Sequence, residues 1–350
     1  MGCGSSKKAK ANAPTLTRDE VVAARAAKAA ATQSRKEKLN PADFLVSGRS
    51  GETIVKREGS IDGEQFCIEN CRDCDIFLFD HLDSSFVDEC ENCRIFVGPV
   101  RSSIFIRTCK GCSFVIACRQ FRTRDCSDCR FALFCTTQPS IETSVRVQFA
   151  CFDFVYFSLR EQIAQANLTL WNNKWWQIHD FNQNQENPNW SLMPEADVPS
   201  LLRAEECAGM PAEELAMDRV VPVTLGCRPR PVEECCFVVF LPQSEEFVEA
   251  FLARASRTEG WTLCRARSTA LSEDRVKSLF SWTKEKNLAS RCKGKELVGV
   301  EVCGVGITSA VQKVLTTTGL SIGSANIRVI PAESASTMAK AFFEVWKDDI

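Results

Sequence analysis

Histidine and tyrosine are almost missing from this chain, two and one in 350 residues. Both histidines, His81 and His179, precede the last 170 residues, so that C-terminal stretch has no imidazole for acid–base, metal or phosphoryl-transfer work. No apolar run approaches the ~18 residues that a membrane-spanning helix needs. The amino terminus lacks the apolar core of a secretory leader, which argues for a cytosolic chain. Excess positive charge is also absent: 43 Lys and Arg face 45 Asp and Glu, for a net charge of -2. The acidic body excludes a broad nucleic-acid footprint. The charge is uneven, however, because residues 1–40 carry nine basic side chains against Asp19, Glu20 and Glu37, and that basic arm suits an anionic surface.

What is abundant is cysteine, with 20 residues. In a cytosolic chain these are expected as reduced thiols, used for packing, metal binding or acylation. The start Met1-Gly2-Cys3-Gly4-Ser5-Ser6 fits N-myristoylation at Gly2, with Cys3 beside it for palmitoylation. One acyl chain anchors only marginally, so Cys3 and the lysines Lys7, Lys8 and Lys10 supply the second signal. Residues 1–40 therefore read as an acylated, flexible arm at the cytoplasmic face of a membrane.

A repeat follows. Cys71-Arg72-Asp73-Cys74 returns as Cys90-Glu91-Asn92-Cys93, Cys109-Lys110-Gly111-Cys112 and Cys126-Ser127-Asp128-Cys129, at steps of 19, 19 and 17 residues. Three positions travel with it: Ile68, Val87, Ile106 and Thr123 before each pair, then Ile76, Ile95, Phe114 and Phe131, then Leu78, Val97, Ile116 and Leu133. The last two obey the period of a strand. A unit this short cannot bury its own apolar face, so the repeats must stack as coils. The expectation is a right-handed parallel β-helix over residues 41–200, with the Cys-x-x-Cys pairs at its corners. Trp171, Trp175, Trp176 and Trp190 read as an aromatic cap, with His179 in that cap and His81 in a loop. Structural zinc is the competing use of the pairs, since their spacing approaches that of a zinc ribbon. The apolar positions in register with the thiols favour packing, and no metal site is assigned.

Arg122 breaks the pattern, standing where earlier repeats have Cys67, Phe86 and Phe105. A charge at that position must point outward or be paired. With Gln120-Phe121-Arg122, Thr137-Gln138-Pro139-Ser140-Ile141-Glu142, Ile178-His179-Asp180-Phe181, the thiol ladder and the acylated start, the sequence resembles the tubulin-binding cofactor C domain family. The resemblance implies an activator of GTP hydrolysis by an Arf-like small GTPase, with Arg122 as the catalytic arginine supplied in trans. It further implies that Gln120, Glu142 and Phe181 contact the GTPase. Ser102, Ser103, Arg119, Gln120, Phe121 and Arg122 would lie near the nucleotide. GTP and magnesium would be carried by the partner, with no cofactor of the chain's own. Traffic of lipidated proteins at a cilium or basal body is implied as well. The alternative within the resemblance is a tubulin-folding cofactor, or a scaffold that binds the GTPase without activating it.

Residues 201–234, with Pro211, Pro222, Pro229 and Pro231, read as a linker. Residues 235–350 alternate strand-like runs (Cys235 to Leu241, near Trp261, Leu297 to Val302, Ile327 to Ile330) with helical ones (Glu245 to Ser256, Glu273 to Lys286, Ser309 to Thr318, Ser334 to Val345). This pattern resembles the ferredoxin-like α/β fold of nucleoside diphosphate kinases. Those kinases work through a histidine that this region lacks, so no kinase activity is expected. Gly304-Val305-Gly306 is too short for a phosphate loop and reads as a turn.

Overall fold

The computed structural model describes residues 40–184, 186–202, 219–283, 285, 287–317 and 326–343. Gly2, Cys3, the rest of the basic arm up to residue 39, and residues 203–218 of the expected linker lie outside the described residues. The chain divides into two units, Met1–Phe44 and Leu45–Ile350. The described part of the first is a single 3-10 turn, Pro41–Phe44.

In the second unit the repeat winds into a parallel solenoid, as the periodicity requires. Its strands are β1 (Leu45–Ser47), β2 (Thr53–Lys56), β3 (Phe66–Glu69), β4 (Asp75–Leu78), β5 (Ser85–Asp88), β6 (Arg94–Arg107), β7 (Ser113–Arg124), β8 (Arg130–Cys135), β9 (Ser140–Glu142), β10 (Val147–Cys151), β11 (His179–Asp180) and β12 (Trp190–Leu192). One face stacks β1, β3, β5, the ends of β6 and β7, β9 and β11. The other stacks β2, β4, the starts of β6 and β7, β8, β10 and β12. Every one of these pairings is parallel, and each advances the chain by one coil.

The thiol pairs form the corner between the two faces. Ser50, Arg72, Glu91, Lys110, Ser127 and Val145 stack there as isolated parallel bridges. Two residues per corner adopt left-handed backbone, the one before the first cysteine (Asn70, Glu89, Thr108, Asp125) and the one before the second (Asp73, Asn92, Gly111, Asp128). Asn, Asp and Gly bear that conformation at least cost, which accounts for the residue before the second cysteine of each Cys-x-x-Cys. The thiols are buried and satisfied locally, for example Cys74 Sγ on the Arg72 carbonyl at 3.2 Å and Cys129 Sγ on the Cys109 carbonyl at 3.5 Å. Ser144 continues the first column where a fifth thiol would stand, accepting from the Cys126 amide at 3.2 Å. Burial pushes the Cys71 thiol up to about 11, so it packs as a neutral group.

The interior is a set of same-residue ladders. Ile76, Ile95, Phe114, Phe131 and Phe149 are in register, with the rings of Phe114, Phe131 and Phe149 stacked at 5.0 and 5.2 Å. Each ring taken from water contributes roughly 2–3 kcal/mol, so the pile of rings fixes the register of the coils. Gly98 lies where the chain passes closest to the preceding coil, since a Cβ there would stand 2.2 Å from the Asp80 carbonyl oxygen.

Between β10 and β11 the chain leaves the solenoid through helix α1 (Leu159–Gln165) and the tryptophan segment. These residues cover a flank as well as an end: Trp190 pairs onto the last coil through Val147, while Trp175 is fully buried and donates Nε1–H to Thr224 Oγ1 at 3.0 Å. The expected linker is corrected in its second part. Residues 219–234 pack as a strap, because Val221 and Thr224 are buried and Arg230 pairs with the fully buried Glu301.

Beyond the strap come β13 (Cys235–Phe240), α2 (Glu245–Ala255), β14 (Thr262–Ala270), α3 (Glu273–Leu279), α4 (Leu288–Cys292), β15 (Glu296–Cys303), α5 (Ile307–Thr317), β16 (Ile327–Val329) and α6 (Ala332–Phe343). The four strands form an antiparallel sheet in the order β14-β15-β13-β16, the order of a ferredoxin-like sheet. One apolar cluster joins its first face and α2 and α5 to Phe77, Phe96 and α1 of the solenoid, while α3, α4 and α6 cover the opposite face. The helix expected from Glu273 to Lys286 stops at Leu279. Thr283 accepts from the Glu285 amide at 3.3 Å, a local turn that competes with helical pairing.

Candidate functional site

Outward-facing residues on the β6–β7–β9–β11 face form straight rows, because parallel pairing repeats each position one coil away. The central row reads Cys67, Phe86, Phe105, Arg122, Ser140, His179. On one side of it Ser103 precedes Gln120, and on the other Arg107, Arg124 and Glu142 follow one another. Phe181 comes next, its amide donating to the Ile141 carbonyl at 3.0 Å. Together these rows wall a groove of about 550 Å³, lined by Phe105, Ile106, Arg107, Gln120, Arg122, Thr123, Arg124, Gln138, Ser140, Glu142, His179 and Phe181.

Arg122 is exposed at the centre of this groove. Its guanidinium carbon lies 5.5 Å from the centroid of the Phe105 ring. Among the described residues it forms no ion pair, whereas its neighbour on the same strand, Arg124, has Asp125 at 3.3 Å. Gln120 is half-buried, its Oε1 accepting from Ser103 Oγ at 2.8 Å, which leaves the amide NH2 to face outward. Glu142 is exposed. Phe181 is 64% exposed, a high value for a phenyl ring, and takes the His179 ring edge-on at 4.5 Å. The groove thus presents a cation without a counter-charge, an amide donor, a carboxylate and a bare aromatic. That set suits a protein surface bearing both an anion and an apolar contact.

Four residues expected at the site, Gln120, Arg122, Glu142 and Phe181, are brought together. Ser103 adjoins them through Gln120. Ser102 and Arg119 do not line the groove: Ser102 Oγ faces Asp83 at 3.4 Å, and Arg119 sits on the adjoining side of the coil with its carbonyl taken by Thr137 Oγ1 at 2.9 Å. Phe121 is a correction. It points into the solenoid, fully buried between Phe131 and Phe149, because alternate residues of a strand face opposite sides. It supports the strand and cannot reach a partner. His179 is also corrected, from cap to groove wall. It lies one coil beyond Ser140 although 39 residues separate them, since the excursion through α1 intervenes. Arg107, Arg124 and Ser140 were missed by motif reading, and Phe105, although placed in the Arg122 column by the repeat, was not read as part of the site. Counting one coil forward from Arg122 would have found Ser140.

The family described as Tubulin binding cofactor C matches residues 63–181, a span that contains the whole groove. The chain is 38% identical to Protein XRP2 of Danio rerio over 79% of this chain and 75% of that one. It is 41% identical to Protein XRP2 of Homo sapiens over 68% of each. This chain belongs to the XRP2 family. The tubulin-folding cofactor C of Arabidopsis thaliana is more distant, 34% identical over 44% of this chain and 45% of its own. The span matched by the cofactor C model ends at Phe181, the last wall of the groove, and takes in β3 to β11, while the likeness to the XRP2 relatives extends over most of the chain. Burial likewise pushes the Cys151 thiol, under the strap, up to about 12. Among the described residues no cluster of three His, Cys, Asp or Glu side chains is placed to hold a metal ion.

Proposed function

We propose that this chain activates GTP hydrolysis by an Arf-like small GTPase, with Arg122 entering the partner's nucleotide site. The observation that carries this reading is an exposed arginine that forms no ion pair among the described residues, held over a ring at the centre of a groove of about 550 Å³ on the solenoid surface. Hydrolysis of the γ-phosphate builds negative charge on leaving and equatorial oxygens. A planar, permanently charged guanidinium bridges them with two parallel donors. The strand matters because β7 is hydrogen-bonded on both sides along its Arg122 end, to β6 and to β9, so little backbone freedom is lost when the complex forms. Gln120 adds an outward N–H donor beside the guanidinium. Glu142 and Phe181 form the far wall, where they contact the partner's surface. GTP and magnesium come with the partner.

Gly2 and Cys3 as acylation sites place this activity at the cytoplasmic face of a membrane, where lipidated GTPases and lipidated cargo meet, and the family resemblance directs it to the cilium. Mass spectrometry of the chain from eukaryotic cells should find both acyl groups. The deciding experiment is single-turnover GTP hydrolysis by a panel of GTP-loaded Arf-like GTPases, with wild type and with Arg122→Ala. Acceleration that disappears in the variant supports the reading, and equal acceleration by both rejects it. A second reading, tubulin folding or a scaffold that binds without activating, is favoured by the likeness to a tubulin-folding cofactor. It predicts partner binding without any gain in hydrolysis.

A further inference from the structure

Three arginines on the solenoid surface share one arrangement. Arg94 sits on Asp75, Arg107 on Asp88 and Arg146 on Asp128, each aspartate standing directly beneath its arginine on the coil before. In each pair Nε and one terminal nitrogen meet the two carboxylate oxygens, for example Arg146 at 2.7 and 2.7 Å. Arg122 occupies the equivalent place over its own coil, but the residue directly beneath it is Phe105. The seat is a ring instead of a carboxylate, and that ring is itself stacked on Phe86 at 5.5 Å with the planes 8° apart.

We propose that Phe105 is the positioning residue of this site: its ring holds the Arg122 guanidinium in a fixed orientation while leaving its full charge and all its donors free. The proposal rests on the activation reading. An aspartate would hold the side chain as firmly, but would occupy the donors and cancel the charge that phosphoryl transfer needs. A phenyl ring attracts the cation through its quadrupole and leaves the in-plane N–H groups unused. Phe86 beneath supplies the backing that keeps Phe105 from tilting away.

Three variants test this in the full chain: Phe105→Leu removes the ring, Phe105→Tyr keeps it, and Phe105→Asp recreates the seat of Arg94, Arg107 and Arg146. The readouts are single-turnover hydrolysis by the GTP-loaded GTPase at saturating variant, the affinity for that GTPase, the melting temperature, and the Arg122 Nε–H signal by NMR. That signal is assigned by its loss in Arg122→Lys. Phe105→Leu should lower the saturated rate about fivefold to thirtyfold, the range of a desolvated cation–π contact, with affinity little changed. The Arg122 signal should lose its ring-current shift. Phe105→Tyr should restore both. Phe105→Asp should abolish activation while the protein stays folded.

A Phe105→Leu variant with wild-type rate overturns the proposal, as does a Phe105→Asp variant that remains active. An Arg122 signal unaffected by loss of the ring overturns it independently of any GTPase. Failure of wild type to accelerate hydrolysis by any member of the panel rejects the activation reading instead, and the NMR arm still decides whether the ring seats the guanidinium.

Discussion

On the flank of the solenoid Arg94 rests on an aspartate, and in the groove Arg122 rests on a ring. Arg107, on the wall of the groove, and Arg146, at a corner, also rest on aspartates. Arg94, Arg107 and Arg122 share strand backbone and parallel register, whereas Arg146 stands at a corner in left-handed backbone. Among the three strand arginines the residue one coil earlier differs, and it separates a side chain that ties coils together from one free to act on another molecule. Aspartate beneath Arg107 holds its guanidinium pKa above the usual arginine value and uses the donors, whereas Phe105 uses none.

The largest test of this contrast is Arg122→Ala. Activation should fall by about 10³ to 10⁵ in turnover, the worth of an arginine supplied in trans, with the melting temperature unchanged because no ion pair is lost. Phe181→Ala should weaken partner affinity roughly tenfold to thirtyfold while leaving the saturated rate intact, since a bare aromatic contributes binding area and not charge. Titration of the variant against GTP-loaded GTPase separates the two effects. Asp75→Ala should leave turnover untouched and cost about 1–2 kcal/mol in denaturant unfolding, because Arg94 and Asp75 are mostly buried and one partner is left unpaired.

Arg146→Gln should be the smallest change. Hydrogen bonds from Arg146 lower the Asp128 pKa below the usual carboxylate range. A carboxyl lowered in the folded state stabilises at neutral pH, and that stabilisation is lost as the pH falls through its folded value. Both side chains are largely solvated, so the melting temperature near neutrality should fall only slightly. That small difference from wild type should vanish as the pH falls through the folded Asp128 pKa, where the pair is lost in both proteins. If Arg146→Gln altered turnover, or Arg122→Ala altered stability, the division between tying and acting arginines would fail.

The repeat of Cys-x-x-Cys with its travelling Ile, Val, Leu and Phe positions carried most of the solenoid, because a period of one coil writes the stacking directly into the sequence. Arg122 was visible as the charge that interrupts an apolar column, and the family motifs added Gln120, Glu142 and Phe181. The inward turn of Phe121 followed from strand alternation but was hidden by its place inside a motif. His179 was assigned to the wrong place because the distance along the chain from Ser140 includes an excursion that is not part of the coil count. The strap at residues 219–234 looked like a linker since its prolines prevent regular elements, yet Thr224 and Arg230 find buried partners far along the chain, Trp175 and Glu301.

Sequence by itself determined the coil length, the thiol corners, the column in which Arg122 stands and the absence of a histidine from the ferredoxin-like half, because these depend on local period and residue type. Tertiary structure alone decided that β11 returns to complete the groove, that the strap locks the two halves of the second unit together, and that the guanidinium lies on the Phe105 ring with its donors free. Those facts depend on which coil a distant segment joins and which way a side chain leans, and both are fixed by packing between residues far apart along the chain.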